Sequence, residues 1–198
     1  MSTIWDERFG AKEYAYGKEP NVFFKETLDT LIPGRILVPG AGEGRDVVYA
    51  ATRNWQTDAI DTSIKGKEKA LLLAKEFNTR INYEIMDAAD YRARKQQYDA
   101  IGLSYFHLPV TVRAKFHHKL TESLKPGGIL FLEAFNPKQL NNSSGGPKEI
   151  SMLFTPQMLA EDFKGLTLVK NEELVTELHE GLYHIGKSDV IRFIGIKP

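Results

Sequence analysis

Short apolar runs alternate with segments of helical period along most of the chain. Phe24, Leu28 and Leu31 share one face of a helix expected from about Pro20 to Leu31, which Pro33-Gly34 stops. Arg35 to Pro39 then reads as a short buried strand. It is followed by a Gly-rich turn and a helix over about 44–54. Thr57 to Ile60 is a second strand, closed by Asp61. Ser63 caps a helix that reaches about Phe77. Strands are expected at 81–86 and 98–104. Pro109 suits the start of the next helix, whose buried face carries Val112, Phe116, Leu120 and Leu124. Lys125-Pro126-Gly127-Gly128 is a turn before a fifth strand over 129–135. A helix begins at Thr155-Pro156 and ends near Phe163. The stretches 166–176 and 188–196 form a terminal antiparallel pair. Strands alternating with helices imply an α/β, Rossmann-like three-layer sandwich with a mostly parallel sheet.

Composition adds boundaries. The 198 residues suit one domain, 1–198, and supply enough apolar material for a core. Lys and Arg together number 26, as do Asp and Glu, so formal net charge is zero. That balance leaves no electrostatic footprint for nucleic acid or an anionic membrane. No cysteine is present, which removes disulfides, thiolate metal sites and a cysteine nucleophile. The start, Met1 to Arg8, lacks the basic and apolar regions of a signal peptide. No apolar run approaches the ~20 residues that span a bilayer. The expectation is a cytoplasmic monomer or homodimer acting on a small molecule.

The candidate chemistry starts at Ile36-Leu37-Val38-Pro39-Gly40-Ala41-Gly42-Glu43-Gly44-Arg45-Asp46, between a strand and a helix. Glycines there let a ligand approach the backbone, and the helix start offers unpaired N–H groups. Asp61 ends the next strand, 19 residues beyond Gly42, and is placed to accept hydrogen bonds from two ribose hydroxyls. Its alternative role is a turn or cap before the next helix. The dinucleotide fingerprint needs G-x-G-x-x-G, whereas Arg45 stands at the sixth position here.

The order of these pieces resembles the class I S-adenosylmethionine-dependent methyltransferases over nearly the whole chain. Gly40-Ala41-Gly42-Glu43-Gly44, Asp61, Asp87-Ala88, Ser104-Tyr105 and Leu124-Lys125-Pro126-Gly127-Gly128 match its successive motifs. The resemblance implies a seven-stranded sheet with an antiparallel last strand. It implies cofactor contacts from Tyr16, Gly40, Ala41, Gly42, Asp61, Thr62, Asp87, Ala88 and Ser104. Two departures stand out: Pro39 replaces a common acid, and Ala41 a common cysteine. Trp5-Asp6-Glu7-Arg8-Phe9, the run from Tyr14 to Asn21, Gly44-Arg45-Asp46 and Glu133-Ala134-Phe135 resemble the thiopurine and tellurite-resistance methyltransferases. That group methylates small soft acceptors such as thiols and chalcogen compounds.

On this reading residues 1–32 form an arm over the cofactor. Acceptor contacts are expected from Tyr14, Arg45, Tyr105 and His107, with no metal. Tyr14 and Tyr16 either close over the sulfonium or pack the arm. His107 is either a base, or a loop histidine with a backbone partner. Arg45 either orients a carboxylate or lies on the surface. His117 and His118 are expected on the solvent side of their helix, and His179 and His184 in structural roles. Residues 92–97 read as a solvated connection, and 136–147 as a polar loop whose 141–146 segment is either a flap or idle. The other functions open to the sequence are an NAD-dependent dehydrogenase and a catalytically silent cofactor-binding regulator.

Overall fold

Alternation along the strands divides the core into two layers. Ile36, Val38, Ala59, Ala100 and Phe131 pack with Phe24, Leu28, Val47 and Leu73 on one face of the sheet. Leu37, Ile60, Ile101, Leu130 and Leu132 pack with Phe116, Leu120 and Phe163 on the other. Parallel strands covered on both faces need such continuous apolar runs. The computed structural model describes residues 4–198, so Met1 to Thr3, the start of the segment read above for a leader, lie outside it.

The strands are β1 (Arg35–Pro39), β2 (Gln56–Asp61), β3 (Asn82–Ile85), β4 (Tyr98–Ser104), β5 (Leu124–Phe135), β6 (Thr167–Glu180) and β7 (His184–Ile196). They form one sheet in the order β3-β2-β1-β4-β5-β7-β6. β1 to β5 pair in parallel with one another, and β7 is antiparallel to both β5 and β6. The helices are α1 (Ile4–Phe9), α2 (Val22–Leu28), α3 (Arg45–Thr52), α4 (Ile64–Glu76), α5 (Val110–Ser123) and α6 (Pro156–Asp162). Strand order reverses between β1 and β4, which opens a crevice at their carboxyl ends.

Local chemistry fixes the helix starts. Asn21, Ser63 and Thr155 each accept a backbone N–H from the first turn of α2, α4 and α6. Gly44 precedes α3 at φ 92°, and a Cβ there would lie 2.5 Å from Cβ of Ala70. The last glycine of the loop thus lets α3 pack against α4.

Several expectations change. α2 is shorter than 20–31, because Asn21 caps it and the chain turns after Leu28. Leu124 opens β5 rather than ending α5, with extended backbone angles. The terminal hairpin extends to the pair Glu180↔His184, well past the expected 176 and 188. His117 is fully buried rather than on the solvent side: Asp162 and Phe163 of α6 and its C-terminus cover that stripe. Its neighbour His118 is exposed. Arg94, within the connection expected to be solvated, is half-buried and bonds Glu84.

Candidate functional site

A cavity of about 550 Å³ occupies the crevice at the ends of β1, β2 and β4. Its floor is the loop between β1 and α3. Gly40 and Gly42 have φ of 65° and 50°, the left-handed region that disfavours other residues. A Cβ on Gly40 would lie 2.3 Å from the Phe106 ring. Gly42 N–H donates to Asp61 Oδ2 at 2.9 Å, and Ser63 N–H donates to Asp61 Oδ1 at 2.9 Å. Each oxygen keeps further acceptor capacity, since a carboxylate has about four lone-pair sites. Burial pushes the Asp61 carboxyl up, against these two amides. Ala89 N–H donates to Asp87 Oδ1 at 2.8 Å.

Tyr16, Gly40, Ala41, Gly42, Asp61, Thr62, Asp87, Ala88, Ser104, Arg45, Tyr105 and His107 all line this one cavity. Tyr14 does not. Its hydroxyl donates to Lys69 O at 3.1 Å, and Lys18 and Lys69 lie over its ring, so it anchors the arm rather than meeting an acceptor. Arg45 is neither a surface residue nor a free guanidinium: it pairs with Glu180 at 3.0 Å and donates to Tyr16 O.

The arm both packs and lines. Trp5 stacks on Phe9, and Arg8 lies between the Trp5 and Tyr183 rings while donating to the Tyr16 hydroxyl at 2.7 Å. Ile4, Trp5, Arg8 and Phe9 reach the cavity.

His107 Nδ1 is 2.7 Å from Met152 O, a carbonyl that only accepts, so Nδ1 carries the proton. Nε2 then accepts from Phe135 N–H at 3.2 Å. Both ring nitrogens are therefore committed to backbone. Burial lowers its pKa to about 4, so the ring is neutral near pH 7 and not placed as a base.

Beneath the aromatic end lies a buried ionic network that the sequence does not announce. Glu133 accepts from Asn21, Tyr105 and Arg192, at 2.7, 2.7 and 2.6 Å. Glu180 accepts from Asn21 at 3.0 Å, and from Arg45 and His184 at 3.0 Å each. Burial alone would raise the Glu180 carboxyl, yet the His184 hydrogen bond and Arg45 outweigh it and hold it at about 2. Tyr105 sits at φ 52° to aim its hydroxyl at Glu133. Asp46, buried and accepting from Asn21 N–H at 2.8 Å, also lines the cavity. Asn21, Arg45, Asp46, Tyr105 and Glu133 lie within the motifs that carry the resemblance; Glu180 does not, and His184 was expected only in a structural role.

The polar loop is tied down. Gln139 donates to Ser144 and Gly145, Ser144 bonds Lys187 O and Ser188, and Asn142 donates to Asp189. Gln139, Asn142 and Ser144 bond one another and β7, which ties that part of the loop to the sheet. Gly146 and Pro147 line the cavity. Among the described residues no cluster of three His, Asp or Glu is placed to hold a metal, and no helix is long and apolar enough to cross a membrane.

Comparison with known proteins follows the same outline. Residues 36–128 match the methyltransferase domain family. An Arabidopsis thaliana protein named probable thiol methyltransferase 2 is 27% identical over 195 residues, which is 92% of this chain and 83% of that protein. A structure from work on the conversion of a disulfide bond into a thioacetal group during echinomycin biosynthesis superposes with TM-score 0.81. Its identity is 14%, over 98% of this chain and 91% of that one. TehB from Haemophilus influenzae gives TM-score 0.73 and 17% identity, over 90% of this chain and 62% of that one. The last two share the fold. The matched stretch begins at the Gly-rich loop and takes in Asp61, Asp87 and Ser104, so this chain carries a methyltransferase domain.

Proposed function

We propose that the protein transfers the methyl group of S-adenosylmethionine to a small, soft acceptor, a thiol or related chalcogen compound. The cavity residues fit the cofactor chemically. Asp61 offers two oxygens to the ribose diol, already aligned by two amides. Ile60, Met86 and Leu108 supply apolar walls for the adenine, with Asp87 at their edge. Gly40 and Gly42 leave room that a side chain would fill. Asp46 brings a carboxyl to the same cavity, where Pro39 brings none; burial pushes it up, against Arg45 and the Asn21 amide.

When bound, the cofactor supplies an electrophilic methyl group on a sulfonium whose departure leaves a neutral thioether. The chain has to align the acceptor in line and exclude water. Tyr16, Tyr105, Phe106, Phe135 and Met152 form a mostly apolar wall at that end. The observation that carries the reading is the state of the polar groups there. His107 is used up on backbone, and Glu133 and Glu180 are saturated by Arg192, Arg45, Asn21, Tyr105 and His184, which leaves His184 Nε2 as the imidazole nitrogen there with no partner among the described residues. Such a wall favours a polarisable sulfur or selenium over a hard, heavily hydrated nucleophile. The likeness to a thiol methyltransferase supports the same class.

The test is a methylation assay with labelled S-adenosylmethionine. The panel spans alkyl thiols, hydrosulfide, selenide, amines, catechols and single-stranded DNA. Methyl thioethers or methyl selenides are the expected products. Amine or catechol products alone would replace this acceptor class. Binding of S-adenosylhomocysteine without turnover on any acceptor would make the protein a silent cofactor binder.

A further inference from the structure

We propose that His184 is the residue that removes the proton from the acceptor's S–H, held for that purpose by Glu180; the proposal rests on the thiol reading above. Two histidines line the cavity, and their wiring differs. His107 spends both nitrogens on backbone. His184 Nδ1 lies 3.0 Å from Glu180 Oε2, and an ionised carboxylate only accepts, so Nδ1 carries the proton. Nε2 is then a lone pair, and it has no hydrogen-bond partner among the described residues. This is a base oriented by a buried carboxylate, the arrangement that fixes a tautomer in other proton-transfer sites.

The surroundings hold that geometry. Tyr16, Tyr105 and Phe135 pack on the His184 ring at centroid distances of 4.5, 4.6 and 5.3 Å. Gly145, at φ 119°, faces the ring's far edge. A Cβ there would come 2.7 Å from Cδ2 and 3.2 Å from Nε2, so only glycine lets the backbone run along that edge of the ring and hold it in place. Glu180 cannot drift, because Arg45 and Asn21 hold its two oxygens.

The charged and titratable groups facing His184 are Glu180 from β6, Arg45 from α3 and Arg8 from α1. Tyr16 of the arm, and Tyr105 and His107 beyond β4, complete the set. Burial lowers the His184 pKa, against Glu180 and with Arg45 and Arg8, so the free base is present near neutral pH. In the step, the S–H bond breaks and its proton goes to Nε2. The sulfur electron pair forms the new S–CH₃ bond as the sulfonium–CH₃ bond breaks and S-adenosylhomocysteine leaves. The imidazolium, paired with Glu180, returns its proton to water.

The test compares wild type with His184→Gln and Glu180→Gln on thiols of graded acidity. For an alkyl thiol, mostly protonated at pH 7, His184→Gln is expected to lower kcat by roughly 100-fold or more, and for a thiol already ionised by no more than about fivefold. Glu180→Gln should show the same selectivity in milder form. Equal loss on both thiols would overturn the base assignment and leave a packing role. A second readout needs no turnover: ¹⁵N NMR of histidine-labelled protein with S-adenosylhomocysteine bound. A proton on Nδ1 and none on Nε2 at pH 7 is expected. A proton on Nε2 removes His184 as a base for any acceptor. If wild type methylates no thiol, the acceptor reading falls, and the tautomer still decides His184.

Discussion

At the scale of single residues, Asp61 concentrates the cofactor half of the site. Its two oxygens accept from the Gly42 and Ser63 amides and keep acceptor capacity beyond them. On the proposed reading, Asp61→Ala removes the ribose acceptor, and it leaves the Gly42 amide unpaired. The expected result is a fall of roughly 10- to 100-fold in S-adenosylhomocysteine affinity, using about 1.5–3 kcal/mol for hydrogen bonds to a charged group. Isothermal calorimetry measures it, and unchanged affinity would displace Asp61 from the site. This residue was legible from spacing alone, because strand length and helix cap fix where a strand-end acid points. His184 was not. It is separated from the glycine loop by most of the sequence, and only β-pairing of Glu180 with His184 brings it to the cavity. Tyr14 misled for the converse reason: nearness to Tyr16 in sequence does not survive the turn at Gly17, and its hydroxyl goes to Lys69.

At the scale of elements, the parallel strands and their helices followed from periodicity, since burial on both faces demands unbroken apolar runs. The ends of β6 and β7 did not. Edge and half-exposed strands tolerate polar residues, and Gly181 and Gly186 resembled loop positions although both sit within or beside the hairpin. His117 was misjudged because the face of α5 beside its apolar stripe is covered by α6, a tertiary fact. The shortest of the α-helices lies at the wall of the cavity. α1 is six residues long and is fastened through Arg8, between Trp5 and Tyr183 and against Tyr16. Arg8→Ala is expected to loosen it by about 1–2 kcal/mol, from lost cation–π contacts and one hydrogen bond. Hydrogen exchange should speed up over residues 4–9 and stay unchanged in β1. Unaltered exchange would mean that apolar packing of Trp5 and Phe9 suffices.

At the scale of the whole molecule, buried neutral histidines link stability to acidity. The folded pKa of His107 is lowered to about 4 from an ordinary 6.5, so the unfolded chain binds protons first as pH falls. The contribution is complete above pH 6.5 and disappears progressively toward pH 4. Its ceiling is about 3 kcal/mol, smaller in practice because one side of the ring meets the cavity. His117 and His184 are shifted in the same direction by burial. Urea unfolding at stepped pH should therefore show midpoints falling between pH 6.5 and 4, with a shallower fall in His107→Gln. A midpoint flat across that range would show that these rings take protons without cost.

The position of β7 has a consequence for how the molecule comes into being. It is made last among the strands, yet lies between β5 and β6. While the ribosome is still delivering the chain, the nucleotide half can assemble from β1 to β4, but the sheet beyond β5 waits for its final strand. Since His184 begins that strand and Glu180 ends the one before it, the aromatic end of the cavity closes only after β7 has been made. On the proposed assignment, a nascent chain acquires the means to hold a methyl donor before it acquires the means to spend it.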